Sequence, residues 1–192
     1  MTLLNVKNLT GALKNKSVLT VLAALIAIDV VSVVIFCKSL SDYPVHHFDE
    51  VIPGVLYRSA QPDTERWPVL RDEYKIRTVV NFRFDDPGDE SMIFEKEFCK
   101  ANNIKLVRLA LDDNPPTEEE LKTFLDIVKN PANQPVLVHC ELGRSRTGVM
   151  VAAYRIKGNG WSAEKAIEES RNYKQNIRPV YARYLEKLSS HK

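Results

Sequence analysis

The sequence predicts an α/β domain: a central, mostly parallel sheet of four to five strands flanked by helices, preceded by one membrane-spanning helix. Three observations carry this. From residue 55 onward, short β-branched runs alternate with longer amphipathic ones, the pattern of strands joined by crossover helices. The connections hold turn formers, as in "DDPGD" and "LDDNPP". A separate run, Val18–Phe36, is apolar almost throughout.

Composition sets the bounds. A chain of 192 residues with 44% hydrophobic content can fold one domain with a sizeable core. Its 27 basic and 25 acidic residues give a net charge of +2. They form no basic stripe, which leaves nucleic acid without an electrostatic footprint. The three cysteines, Cys37, Cys99 and Cys140, lack C-x-x-C spacing. They make neither a disulfide framework nor a zinc site. The expected organisation is a basic flank over 1–17, an anchor over 18–37, a linker over 38–50 and a globular domain over 51–190.

At about 1.5 Å per residue, Val18–Phe36 would rise about 28 Å, close to a bilayer's hydrocarbon core. Asp29 costs about 2.5–3.5 kcal/mol on insertion scales, which the surrounding Leu, Ile and Val offset. The run is longer than a signal-peptide core and no small-x-small site follows, so it reads as an uncleaved single span. Lys7, Lys14 and Lys16 precede it, whereas Lys38, Asp42, Asp49 and Glu50 follow. That asymmetry places the N-terminus in the cytoplasm and the long C-terminal part on the far side. Residues 38–50 read as a solvated tether. His46 and His47 are adjacent, so on a strand they would point to opposite sides and share no metal.

The globular part reads in order. "VLYRS" (Val55–Ser59) is a strand. Thr64–Lys75 is a helix, with Pro68 near its first turn. "TVVNF" (Thr78–Phe82) is a strand. Ser91–Asn102 is a helix with Ile93, Phe94, Phe98 and Ala101 on one side. "KLVRL" (Lys105–Leu109) alternates as a strand. Thr117 and Glu120 form a capping box ahead of the apolar face Leu121, Phe124, Leu125 and Val128. Val136–His139 is a buried strand, followed by a helix to about Lys157. Ser162 caps a helix to about Tyr173, and Val180–Leu188 is the last one.

Ligand sites in such folds lie beyond the C-terminal ends of the strands, and "HCELGRSRTG" sits at such an end. A tight turn running into a helix N-terminus leaves several backbone N–H groups pointing at an anion. Residues Glu141, Leu142, Gly143, Arg144, Ser145 and Arg146 form this candidate phosphate cradle. Gly143 is expected to let the backbone approach the ligand, and Gly148 to ease packing at the helix start. Arg146 offers a planar fork for two phosphate oxygens. The same donors favour a thiolate at Cys140. Cys140 would then attack phosphorus in line, with charge built up in the transition state held by the cradle. Thr147 can donate its hydroxyl to the sulfur, and His139 is placed to tune the loop from behind. The departing oxygen needs a proton from another loop. The adjacent Asp112 and Asp113 of "LDDNPPT" are the best source.

These residues carry a resemblance. "HCELGRSRTG" resembles the H-C-x5-R-[ST] loop of the cysteine-dependent protein tyrosine and dual-specificity phosphatases. "DDNPP" is similar to the D-x-N-P-P aspartate loop of the phosphatase-and-tensin group, which puts the general acid on Asp112 with Asp113 as runner-up. "VLYRSAQP" is similar to a motif of compact dual-specificity-like phosphatases, including inositol-pyrophosphate phosphatases of fungi and plants. "GRSR" is similar to the mitochondrial phosphatidylglycerophosphate phosphatase. The resemblance covers roughly residues 50–190. It implies a dual-specificity-like fold, a cysteinyl-phosphate intermediate, no metal and no other cofactor, and a monomer acting on a phosphorylated protein or a phospholipid. Phosphatases of inositol polyphosphates tend to carry lysines in the loop. Here Glu141 would repel a highly charged ring, which leaves inositol phosphates as the alternative, beside a phosphate-binding module without turnover or a sulfur-transfer enzyme. Arg58 is expected to line or brace the pocket, with a structural ion pair as the plain alternative. Arg83 has a weaker claim of the same sort. Outside the cytoplasm, a Cys99–Cys140 disulfide becomes conceivable.

Overall fold

The computed structural model describes residues 16–41, 45–173 and 177–190, with the side chains of the first helix described over 19–32. The chain divides into two units, residues 1–43 and 44–192. In the first unit α1 runs from Lys16 to Ser41. Among the described residues no helix is long and apolar enough to cross a membrane. This overturns the expected single-pass anchor, and with it the membrane association over 18–36, the cytoplasmic N-terminus and the extracytoplasmic catalytic domain. Asp29 interrupts the apolar run of α1. Lys7 and Lys14, which set the expected orientation, lie outside the described residues.

The second unit holds a five-stranded sheet: β1 Asp49–Ile52, β2 Leu56–Ser59, β3 Thr78–Asn81, β4 Lys105–Arg108 and β5 Val136–His139. The order is β1-β2-β5-β3-β4. β1 is antiparallel to β2, whereas β2, β5, β3 and β4 run parallel. The mostly parallel sheet is thus as expected. Parallel pairing needs crossovers, which the helices supply.

The helices are α2 Trp67–Asp72, α3 Glu90–Ala101, α4 Glu118–Lys129, α5 Ser145–Asn159, α6 Ala163–Arg171 and α7 Pro179–Ser190. The period of two along each strand sorts side chains onto two faces. Leu56, Val80, Val136 and Val138 join a core with Phe124 of α4, Met150 of α5, Ala166 of α6 and Leu185 of α7. Tyr57, Val79 and Leu137 join the other, with Trp67 and Leu70 of α2 and Cys99 of α3. β5 is central and buried at all four positions. Both faces are covered, so a strand of this kind is apolar without alternation.

Local chemistry sets the helix starts. Asp89 accepts from the Ser91 and Met92 amides and caps α3. Thr117 and Glu120 form the expected capping box on α4. Ser162 caps α6 through the Lys165 amide.

Two expectations fail locally. β1 lies where the tether was expected to end, and the packing of this unit already includes Val45, which is buried. The α3 face is also rotated. Met92, Glu95 and Cys99 are buried, whereas Ile93 is 42% exposed. The helix turns a carboxylate inward, which no apolar-periodicity argument anticipates.

Candidate active site

The loop after β5 runs from Cys140 to Arg144, where α5 begins. Its carbonyls are all engaged from outside. His139 Nδ1 lies 3.2 Å from the Cys140 carbonyl, and Gln61 N–H donates to Glu141 O at 2.9 Å. His47 Nδ1 meets Leu142 O at 2.7 Å, Arg58 Nη2 donates to Gly143 O at 2.5 Å, and Gly148 N–H donates to Arg144 O at 2.5 Å. A carbonyl can only accept, so His47 carries its hydrogen on Nδ1. Peptide planes fixed in this way turn their N–H groups to the concave side. Among the described hydrogen bonds, none is donated by the amides of residues 141–147. No side chain caps α5 either. Such a loop, at a positive helix end, can hold an anion.

Gly143 adopts φ +65. A Cβ there would lie 2.5 Å from the Ala60 nitrogen and 2.6 Å from the Ser59 carbonyl carbon and oxygen. The glycine therefore serves close packing against the end of β2.

Arg58 is buried, 1% exposed, with its guanidinium 3.4 Å from the Tyr173 ring centroid. Burial lowers its pKa, although Tyr173 and Glu169 partly offset that. It braces Gly143 instead of facing solvent. Tyr173 in turn donates to Asp49 of β1. Burial and that acceptor push its phenol well above the ordinary range.

Cys140 is buried and free, as is Cys99. The conceivable disulfide is therefore not formed, and burial pushes the Cys99 thiol up to about 12. Thr147 is fully buried and its hydroxyl has no partner among the described residues. Arg146 Nη1 donates to Phe82 O at 3.3 Å. A cleft of about 380 Å³ lies beside it, lined by Arg83, Phe84, Asp85, Asp86, Pro87 and Glu141 as well as Arg146. Arg83 is drawn to Asp89 and to Gln61 Oε1, at 3.0 Å from the latter.

Asp112 and Asp113 are both exposed. The Asp112 carboxylate accepts from the Asn114 amide at 2.7 Å and from Asn114 Nδ2 at 2.9 Å. The Asn114 side chain, then its amide, hold the Asp112 carboxyl below the usual carboxylate range. Asp113 instead meets Arg178, just before α7: its Nη1 donates to the Asp113 carbonyl at 3.0 Å and lies 3.4 Å from the carboxylate.

Sequence reasoning missed three residues that shape the loop. His47 falls in the stretch that reads as a tether, and Gln61 carries no chemical signal of its own in the sequence. Glu95, 0% exposed, lies behind the loop with a carboxylate oxygen 3.4 Å from His139 Nε2. At that distance the contact is an ion-pair approach, not a formed hydrogen bond. Among the described residues no group of three or more His, Cys, Asp or Glu could hold a metal ion.

Residues 43–192 match the family model described as the tyrosine phosphatase family. The chain belongs to that family. It is a cysteine-type phosphatase. Two curated relatives show the range within it. The probable tyrosine-protein phosphatase DG1060 of Dictyostelium discoideum is 32% identical over 137 residues, covering 67% of this chain and 79% of that protein. The inositol diphosphatase SIW14 of Saccharomyces cerevisiae is 30% identical over 135 residues, covering 68% of this chain. The alignment spans 46% of SIW14, less than half its length. The crystal structure of the SIW14 core catalytic domain in complex with citrate superposes with a TM-score of 0.66, at 29% identity, over 74% of this chain and 85% of that one. The crystal structure of PTPMT1 gives 0.63 at 26% identity, over 74% and 94%.

Proposed function

We propose that this phosphatase hydrolyses phosphomonoesters of modest charge, phosphotyrosine in proteins foremost, through a cysteinyl-phosphate intermediate. In this reading the Cys140 thiolate attacks phosphorus and the P–O bond to the leaving group breaks. Asp112 protonates the departing oxygen, with Asp113 as the runner-up. The amides of residues 141–146 and the Arg146 fork hold the equatorial oxygens. Water then cleaves the P–S bond, and the buried Thr147 hydroxyl assists departure of the thiolate. His139 and Arg58 support the loop.

The cleft beside Arg146 carries the substrate class. Phe84 is 58% exposed on its wall, with Pro87 beside it, which suits an aromatic ring. The basic charge there is largely spent, since Arg83 pairs with Asp89. Arg108 offsets Asp85 at 3.3 Å, but Glu141 and Asp86 remain as acids. A ring crowded with phosphates meets repulsion at such a rim, whereas one dianionic group against the cradle does not.

A second reading, inositol diphosphates, has its own support. SIW14 and the Arabidopsis thaliana inositol diphosphatase DSP3 are 30% and 32% identical to this chain.

One experiment separates them. The full chain and its Cys140→Ser variant are assayed on p-nitrophenyl phosphate, phosphotyrosine peptides, phosphoinositides, phosphatidylglycerophosphate and inositol diphosphates. Wild-type kcat/KM should be highest on the phosphotyrosine peptides, and the variant should lose activity on every substrate. A higher kcat/KM on inositol diphosphates or on a phospholipid reassigns the substrate. Turnover surviving in Cys140→Ser removes the mechanism.

A further inference from the structure

Behind the cradle lies a buried polar cluster that the reaction as drawn does not use. Glu95 of α3 is its centre. Its carboxylate accepts from Asn81 Nδ2 of β3 at 2.8 Å and from Gln61 Nε2, beyond β2, at 3.0 Å. His139 Nε2 of β5 stands 3.4 Å away, and Arg108 Nη1 of β4 at 3.9 Å. Four segments of the sheet edge thus turn a donor toward one carboxylate. Burial opposes its charge. His139, Gln61 and Arg108 outweigh that and hold it below the usual carboxylate range.

A carboxylate placed this way is costly unless every lone pair is answered. Here it is answered by groups that reach the loop by two routes. The first is His139, whose other nitrogen, Nδ1, faces the Cys140 carbonyl at 3.2 Å. The ring thus stands between the Glu95 carboxylate and the loop backbone. The second route is Gln61. Its side chain is held by Glu95 and by Arg83 at 3.0 Å, and its N–H fixes Glu141 O at 2.9 Å.

We propose that Glu95 is a positioning residue of this phosphatase. Through His139 and Gln61 it holds the Cys140 and Glu141 carbonyls outward, which keeps the loop amides aimed at the sulfur and the phosphate. The proposal rests on Cys140 being the nucleophile, a reading that Cys140→Ser tests separately.

The test uses the full chain with Glu95→Gln, His139→Gln and the double variant. Alkylation of Cys140 by iodoacetamide, a neutral probe, is followed against pH. Mass spectrometry assigns the modified cysteine, and p-nitrophenyl phosphate kinetics and Tm are measured alongside. Glu95→Gln should move the alkylation midpoint to higher pH and slow alkylation at pH 6 about tenfold. kcat/KM should fall by about the same factor, most of it in kcat. The double variant should shift the midpoint no further than either single one, because both break one link. If Glu95→Gln does not fold, His139→Gln reports the same link from its other end. An alkylation curve that superimposes on the wild type overturns the proposal. So do strictly additive shifts in the double variant, since they would separate Glu95 from His139. A lowered Tm with an unmoved curve means a merely structural carboxylate, and also overturns it.

Discussion

Two loops meet the phosphate in the proposed reaction, and they are built in opposite ways. The cradle of residues 140–144 is gripped by His47, Arg58, Gln61, His139 and Gly148, and its backbone abuts β2 at Gly143. The stretch with Asp112 and Asp113 is exposed, held by one turn of its own through Asn114 and by Arg178. The difference follows from the tasks. Stabilising developing charge requires dipoles fixed in advance, because any reorganisation during the reaction weakens them. Delivering a proton requires only arrival within hydrogen-bond reach. Breaking the first loop should therefore cost far more than breaking the second.

The largest effect is expected from Gly143→Ala. The added methyl group meets backbone at 2.5 Å, and the residue sits at φ +65, so neither the neighbour nor the dihedral can yield cheaply. The domain should lose about 2–4 kcal/mol of stability. At a temperature where it remains folded, kcat/KM should still drop on the order of 100-fold, because the cradle amides are re-aimed. Thermal melts with steady-state kinetics check both. Full activity in a folded variant would mean that the loop is not held by this contact.

The acid loop gives the next effect. Asp112→Asn should lower kcat about 100-fold or more on phenyl phosphate, whose leaving group needs a proton. The loss should be much smaller on p-nitrophenyl phosphate, whose leaving group does not. Asp113→Asn, at a side chain that meets Arg178, should stay within about threefold of wild type on both. The opposite pattern would transfer the role to Asp113.

How much of this was legible in the sequence follows the same division. The strands and the nucleophile loop could be read because they are local. Val136–His139 is apolar at a core position, and Cys140, Gly143 and Arg146 stand at fixed spacing in one segment. What could not be read is non-local. His47 contacts a carbonyl 95 residues away, and the Glu95 carboxylate on α3 is met from β3 and beyond β2. No periodicity marks such a residue. Glu95 sits on an amphipathic helix, where a carboxylate is ordinarily solvated, and only the register of α3 against the sheet buries it. Val18–Phe36 failed differently. Its composition suited a membrane, but no helix among the described residues is long and apolar enough to cross one. Orientation inferred from flanking lysines fell with it.

The smallest effect concerns protonation, and its sign can be worked out. A general acid must be protonated to act, yet the Asn114 side chain and amide favour the ionised form of Asp112. Asn114→Ala removes the side-chain bond at 2.9 Å and leaves the backbone bond at 2.7 Å. With less to stabilise the carboxylate, Asp112 should hold its proton to higher pH. The alkaline limb of kcat on phenyl phosphate should move upward, so that the ratio of variant to wild type rises steadily with pH across that limb. The acidic limb, which does not depend on this bond, should stay where it is. Asp112 is exposed, so the displacement should be small and stability nearly unchanged. The comparison with Asp112→Asn gives the check its force. In that background Asn114→Ala should shift nothing, and a shift that persisted there would place the titrating acid on another residue.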